Sequence, residues 1–197
     1  MNPLLEEKEM RKNFKPNNMH FPMPVLIIST YGEDGSIDCM NAAWGTMEDS
    51  DVILLELTKD HKTSENIENL KAFTVGYCDV KNVESGDFVG IVSGKNDIEK
   101  FKKTGWTVTK SEFVNAPVIN ELPITMECDL DRISTENGDF VVYGKIRNVS
   151  VREDLIDENG KIDYEKASLI TYNSIDQSYH VIGESVAKAF SVGLKKR

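Results

Sequence analysis

The segment Lys59–Ile67 (KDHKTSENI) groups residue types that bind an anion. It lies between an apolar, strand-like run and a predicted helix from about Thr63 to Phe73. Thr63 or Ser64 can cap this helix, whose first turn offers free backbone N–H groups at the positive end of the helix dipole. Lys62 adds positive charge in an acidic chain. The combination suits a phosphomonoester, and an ordinary capped surface helix is the alternative.

The run Asn41-Ala42-Ala43-Trp44 ends the second predicted strand and suits a flat ring. Small side chains let a ring approach the backbone closely. The Asn41 amide both donates and accepts hydrogen bonds, and Trp44 can cover a ring face. A core tryptophan at the end of a strand is the alternative.

Two further residues carry chemistry of this kind. Lys100 lies in a short predicted helix, Asp97–Thr104, and can place a positive charge beside the edge of a redox-active ring. Tyr179 can stack on such a ring or form a hydrogen bond with it. The alternatives are a solvated helix lysine and a core aromatic residue.

Other motifs are incomplete. The run Gly90–Asn96 is one residue short of a P-loop and lacks its Ser or Thr, and Lys161 stands at a ligand position of an EF-hand-like loop. The three histidines, His20, His61 and His180, are far apart, so no metal site is expected. A GxSxG nucleophile motif is also absent from the sequence.

The elements that position these residues are mostly strands. Asp34-Gly35 and Asn137-Gly138 are hairpin signals between apolar runs. The predicted strands are Pro24–Tyr31, Ser36–Trp44, Val52–Thr58, Phe73–Cys78, Ile124–Ser134 and Asp139–Val151. Because no regular βαβ rhythm appears, we expect a closed or partly closed β-barrel with flanking helices rather than a Rossmann fold.

The remaining segments are less regular. We expect an N-terminal helix and arm over residues 1–20, and a strand or loop over Asp87–Ser93. Residues 152–183 read as a loop-rich excursion, and a C-terminal helix is predicted over about Glu184–Leu194. The length of 197 residues favours a single domain, 1–197.

The bulk composition restricts the partners. The formal net charge is −10 and the sequence pI is about 4.9, so nucleic acid is not an expected partner. No apolar run reaches the ~18 residues of a membrane helix, and the N-terminus has no signal-peptide core, so we expect a cytoplasmic protein without a membrane contact. The three cysteines are expected to be buried free thiols.

Taken in order, these segments resemble the flavin reductase-like family, which includes the flavoredoxins. The resemblance runs from about Pro24 to Gly193 and rests on the segments PVLIIST, DGSIDCMNAAW, HKTSENI, EKF with TGWT, NAPVI, MECDL and VVYGKI. It implies an FMN-binding split β-barrel, mainly β with flanking helices, as a homodimer with its flavin at or near the subunit interface.

The resemblance also implies positions for the cofactor-binding residues. Asn41 and Trp44, with Ala42 and Ala43, are expected by the flavin ring. The other implied contacts are Lys62, Thr63 and Asn66 near the ribityl phosphate, Lys100 and Tyr179 near the flavin, and Ala116 and Pro117 in the wall of the site. Many members carry His after Gly-Asp, where this chain has Phe140. We therefore expect another group in its place or a drier pocket.

Three functions are compatible with the sequence. The first is an FMN-dependent oxidoreductase that carries electrons from NAD(P)H or a redox protein to an acceptor, with the chemistry at flavin N5 and no catalytic side chain. The second is a flavin store or sensor on the same barrel. The third is a hydrolase or unrelated barrel without flavin.

Overall fold

The computed structural model describes residues 11–16 and 19–196. Most of the predicted N-terminal helix lies outside these residues, and the described residues 11–16 contain no helix. The strands are, in chain order, β1 (Met23–Pro24), β2 (Leu26–Tyr31), β3 (Ile37–Ala42), β4 (Gly45–Asp49), β5 (Val52–Leu57), β6 (Ala72–Tyr77), β7 (Val108–Lys110), β8 (Pro117–Ile119), β9 (Ile124–Glu136), β10 (Asp139–Val151), β11 (Ile170–Asn173) and β12 (Ser178–Val181). The α-helices are α1 (Lys62–Leu70), α2 (Val83–Ile91), α3 (Lys100–Lys103) and α4 (Tyr164–Ala167), and 3₁₀ turns span Val80–Asn82, Glu153–Leu155 and Val192–Lys196.

The main sheet has seven strands in the order β3-β2-β6-β9-β10-β5-β4. Every neighbouring pair is antiparallel. Two register shifts interrupt the long β9–β10 ladder, between Tyr143 and Gly144 and between Ile146 and Asn148. Such bulges bend a sheet and increase its twist, which curls these strands around a core. The result is a split β-barrel, and this confirms the predicted fold class.

Two hydrophobic cores lie on opposite faces of the barrel wall. Successive side chains of a strand point to opposite faces, and β2 shows this directly. Leu26 and Ile28 enter the barrel core with Phe73, whereas Val25 and Ile27 enter the second core. The second core also contains Val89 of α2, Trp106 and Ile170. The outer face of β2 and β3 is therefore covered by α2 and the β11–β12 hairpin.

The long strands and their hairpins are confirmed. β9 and β10 pair from Ile124 to Val151, and the turn between them places Asn137 at φ 52° and Gly138 at φ 94°. The helix predicted from Thr63 ends earlier than Phe73, because Lys71 adopts a left-handed conformation at φ 60°.

The segment predicted as a strand or loop, Asp87–Ser93, is wrong in part, since residues up to Ile91 belong to α2. Glycine is unfavourable in the interior of a helix, so the two glycines of this segment weaken the helix signal in the sequence. Gly86 has a packing reason, because a Cβ there would lie 2.8 Å from the Cys78 sulfur.

The predicted loop-rich excursion over 152–183 is also partly wrong. It contains α4 and the β11–β12 hairpin, and β11 pairs with β1 in a separate three-stranded sheet. The short strands β4, β7 and β8 were not predicted either. Strands of three to five residues are too short for an alternating pattern to be recognised.

The predicted C-terminal helix over Glu184–Leu194 is wrong. Residues 183–191 form no regular element, and a 3₁₀ turn begins at Val192. Val186 and Phe190 are fully exposed, and Phe190 has φ 57°. Because so short a helix is marginal in water without packing, a segment that buries no apolar face has little reason to form one.

Cys39, Cys78 and Cys128 are free and buried, as expected. Burial raises the pKa of each thiol to about 12, which keeps them protonated and unreactive. Across residues 11–16 and 19–196, no helix has the length and apolar character required to cross a membrane.

Candidate functional site

Two adjoining cavities lie along β3 and α2, one of them bounded by α1 and the other by the β11–β12 hairpin. The narrow cavity has a volume of about 130 Å³ and the wide cavity about 330 Å³. Asn41, Gly90 and Ile91 line both of them. The Asn41 amide donates to the Gly86 carbonyl at 3.1 Å, which fixes the side chain at the boundary. A ligand that fills both cavities would therefore pass Asn41 at its middle.

Two cationic side chains, Lys62 and Lys100, line the narrow cavity. His61 lines it as well, and Lys62 is the first residue of α1. The N–H groups of a first helical turn have no intrahelical acceptor, so α1 adds a partial positive charge here. His61 occupies the N-cap position without a side-chain cap hydrogen bond. The predicted cap by Thr63 or Ser64 is therefore wrong, although the helix does begin at this segment.

The Thr63 and Ser64 hydroxyls have other partners. Ser64 donates to the Thr58 carbonyl at 2.8 Å, and Thr63 donates to Asp38 Oδ2 at 2.5 Å. The Thr63 proton is thus directed at a carboxylate. Any contact of Thr63 with a bound anion has to come from its backbone N–H.

Asp38 and Lys100 form a buried ion pair in the wall of the narrow cavity. Asp38 is 6% exposed and Lys100 is 4% exposed, and Asp38 Oδ1 lies 3.8 Å from Lys100 Nζ. Buried charges are stable only when they are paired. The pair connects β3 to α3 through two residues that are 62 positions apart in the sequence. Asp38 was not recognised in the sequence, because a lone Asp in a strand carries no motif.

Aromatic side chains line the wide cavity. Trp44, Tyr172 and Tyr179 face it, and the two tyrosine rings lie 5.9 Å apart between centroids. The Tyr179 hydroxyl donates to Asp87 Oδ1 at 2.8 Å. Burial raises the pKa of Tyr179, and the Asp87 carboxylate raises it further. Tyr179 therefore remains a neutral hydrogen-bond donor across the physiological pH range.

Most of the sequence-derived site residues come together here. The cavities are lined by Asn41, Ala43, Trp44, Lys62, Thr63, Lys100 and Tyr179. The other four do not line either of them. Ala42 belongs to the barrel core, and Asn66 donates to Thr30 Oγ1 at 3.0 Å. Ala116 is buried, and the Pro117 carbonyl accepts hydrogen bonds from two buried side chains, Ser29 and Thr74.

Phe140, where the resemblance implies a His in many members, is also away from both cavities. It is buried in the barrel core, and the Lys59 ammonium lies 5.5 Å from its ring centroid. Phe140 therefore contributes to barrel packing.

The residues present fit a flavin nucleotide. A planar ring fits the aromatic cavity, and an anionic group fits the cationic one. The curled antiparallel sheet and these two cavities define a split-barrel protein of the flavin-binding class.

A comparison with models of protein families supports this class. Residues 19–174 match the flavin reductase like domain, and the chain belongs to the flavin reductase-like family. Its function is accordingly a flavin-associated oxidation–reduction.

Solved structures share this fold. Flavoredoxin of Desulfovibrio vulgaris (Miyazaki F) is 31% identical, with a TM-score of 0.86 over 93% of this chain and 100% of that chain. Flavoredoxin from Methanosarcina acetivorans is 23% identical, with a TM-score of 0.87 over 95% of this chain and 100% of that one. An FMN-binding protein from Thermus thermophilus, at 16% identity, has a TM-score of 0.74 over 92% and 99% of the two chains.

Proposed function

We propose that this protein binds FMN across the two cavities and carries electrons through it in the manner of a flavoredoxin or flavin reductase. The observation that carries the proposal is the junction at Asn41, where a narrow cationic cavity opens into a wider aromatic one. FMN has the same asymmetry, with a phosphate at one end and a planar ring at the other.

Lys62 and the first turn of α1 hold the phosphate in this proposal. Lys62 contributes a full positive charge, and the backbone N–H groups contribute directed hydrogen bonds. Riboflavin lacks the phosphate, so the narrow cavity discriminates in favour of FMN. The FMN named in the Thermus neighbour's title supports the same choice over other flavins.

Trp44 and Tyr179 orient the ring in the wide cavity. Asn41 lies at the boundary, where its amide is held by the Gly86 carbonyl. Bound FMN supplies hydride and single-electron transfer, and the protein supplies binding, orientation and electrostatics. No side chain of the chain has to act as a general acid or base.

The open side of the wide cavity admits the electron donor and acceptor. Trp44 is 50% exposed and Ile91 is 75% exposed, so one side of a bound ring remains accessible. We propose NAD(P)H or a redox protein as the donor. A redox protein is the donor if the protein works as a flavoredoxin, and NAD(P)H is the donor if it works as a flavin reductase.

We also propose that the protein is a cytoplasmic homodimer. Exposed apolar side chains support the dimer, since Val186 and Phe190 offer surface that a second copy can bury. Light scattering coupled to size-exclusion chromatography measures the mass directly. A mass of one chain at micromolar concentration would contradict the dimer.

The absorbance spectrum of the purified protein tests the proposed function, followed by anaerobic addition of NADH and NADPH. Flavin bands at about 370 and 450 nm are expected, since they are the cofactor's own property. Rapid bleaching identifies a reductase, and bleaching only by a reduced redox protein identifies a carrier. Flavin that no donor reduces supports a store or sensor, and a protein that binds no added FMN contradicts the proposal.

A further inference from the structure

The narrow cavity contains a carboxylate that phosphate binding does not explain. Asp38 lines this cavity together with Lys62 and Lys100. A carboxylate in the wall repels a phosphate oxygen that comes close to it. A cavity selected only for an anion would not place an acidic side chain there. Phosphate binding therefore does not account for a carboxylate at this position.

The two oxygens of Asp38 are used differently. Oδ2 accepts the Thr63 hydroxyl at 2.5 Å, which fixes the orientation of the carboxylate. Oδ1 faces Lys100 Nζ at 3.8 Å, a distance longer than a hydrogen bond. Lys100 thus balances the buried charge electrostatically, and no described residue donates a hydrogen bond to Oδ1.

Gly94 lies directly against the Asp38 carboxylate. A Cβ at this position would lie 2.2 Å from Asp38 Oδ1 and 3.5 Å from Lys62 Cβ. Only glycine therefore lets the backbone approach the carboxylate this closely. Gly94 and Asp38 both line the narrow cavity, so this close contact is part of the cavity wall.

We propose that Asp38 is a specificity-determining residue that recognises the hydroxylated chain of the ligand, with Oδ1 accepting a hydrogen bond from one of its hydroxyls. A hydroxyl is a donor that a carboxylate accepts strongly, whereas a phosphate oxygen offers no proton at neutral pH. The ligand class is therefore a polyol phosphate attached to a planar ring. This inference rests on the proposed FMN site and adds a polyol contact to it.

The test compares three flavins in Asp38→Asn and in the natural protein. Lumiflavin carries only the ring, riboflavin adds the polyol chain, and FMN adds the phosphate. Quenching of flavin fluorescence gives each dissociation constant. Asp38→Asn keeps the side-chain shape and removes the charge. We expect riboflavin and FMN to bind about five- to tenfold more weakly, by a similar factor, while lumiflavin is unchanged.

Asp129→Asn is the matched control. Asp129 lies on β9 and pairs with Arg147 at 2.8 Å on the surface, so this variant changes the net charge equally. It should leave all three dissociation constants unchanged. Asp38→Glu is a second variant, which keeps the negative charge beside Lys100 but moves the carboxylate by one methylene. It should also weaken riboflavin and FMN relative to lumiflavin, and it decides the question if Asp38→Asn does not fold.

Two outcomes overturn this inference and leave the proposed function standing. One is a natural protein that binds FMN while the variants change all three flavins equally or not at all. The other is FMN binding that becomes tighter in Asp38→Asn while riboflavin is unchanged, which would show that Asp38 only repels the phosphate. Failure of the natural protein to bind any flavin overturns the proposed function itself.

Discussion

The two cavities are built in opposite ways. The narrow cavity is rigid and charged, because Asp38 and Lys100 are buried and Thr63 fixes the carboxylate. The wide cavity is aromatic and open, with Trp44 half exposed and Ile91 largely exposed. Buried hydrogen-bonded charges specify one arrangement, whereas exposed aromatic side chains adapt to their partners. The difference suggests that one cavity holds the cofactor and the other presents its reactive end.

Lys100→Met should produce the largest effect, and it acts on stability. The substitution leaves the Asp38 carboxylate buried without its cation, which costs about 3–5 kcal/mol in the free energy of unfolding. Urea denaturation followed by tryptophan fluorescence measures this loss. Lys102→Met, in the same helix, is the control, since the Lys102 side chain is 81% exposed and its loss should cost less than ~0.5 kcal/mol. Equal losses would mean that the narrow cavity is no more rigid than the surface.

Lys62→Ala should weaken FMN but not riboflavin. Loss of a charge-assisted contact to the phosphate costs about 1.5–3 kcal/mol of FMN binding energy. Isothermal titration calorimetry of both ligands measures the difference. Lys95→Ala is the control, because Lys95 pairs with Glu65 at 3.3 Å and does not line the narrow cavity. Parallel losses for both ligands would show that Lys62 does not bind the phosphate.

Trp44→Ala should weaken FMN and riboflavin by the same amount. Loss of one aromatic face against the ring costs about 0.5–1.5 kcal/mol, and the phosphate plays no part in it. Trp44→Phe should retain most of the affinity. Fluorescence titration with FMN and with riboflavin measures the loss of binding free energy for each ligand. An FMN-specific loss would place Trp44 at the phosphate end and reverse the assignment of the cavities.

Tyr179→Phe should have the smallest effect. It removes the hydrogen bond to Asp87 at a partly exposed position and keeps the ring, so FMN affinity should fall by about 0.5 kcal/mol or less. Tyr172→Phe is the matched control. The reduction potential of the bound flavin provides the second readout, and a change of affinity above tenfold would show that Tyr179 binds the flavin through its hydroxyl.

The sequence predicted the barrel because its long strands carry strong local signals. The β9–β10 hairpin alternates over many residues and turns at Asn137-Gly138, so its register follows from local chemistry. α2 was missed because Gly86 and Gly90 oppose a helix locally and are tolerated through packing against the sheet. The helix prediction for the C-terminal segment was wrong for the opposite reason. The local pattern favours a helix, but the apolar side chains Val186 and Phe190 are exposed in the described chain.

The predicted site residues that line the cavities mostly lie together in short segments of the sequence. Asn41 to Trp44 and Lys62 to Thr63 are contiguous, and the fold brings these two runs to adjoining cavities. The sequence did not indicate Asp38 as a site residue. Its place in the cavity wall depends on contacts with Lys100 and Gly94, which form only in the tertiary structure. Asn66 and Pro117 do not line either cavity, because the Asn66 amide donates to Thr30 and the Pro117 carbonyl accepts from Thr74.

A crystal structure of the protein with FMN tests the central claim most directly. The account predicts the phosphate within hydrogen-bond distance of Lys62 and the first turn of α1, and the ring between Trp44 and Tyr179. Asn41 should lie beside the junction of ring and polyol chain. A phosphate in the wide cavity, or a ring that contacts neither Trp44 nor Tyr179, would contradict the proposal that FMN spans the two cavities.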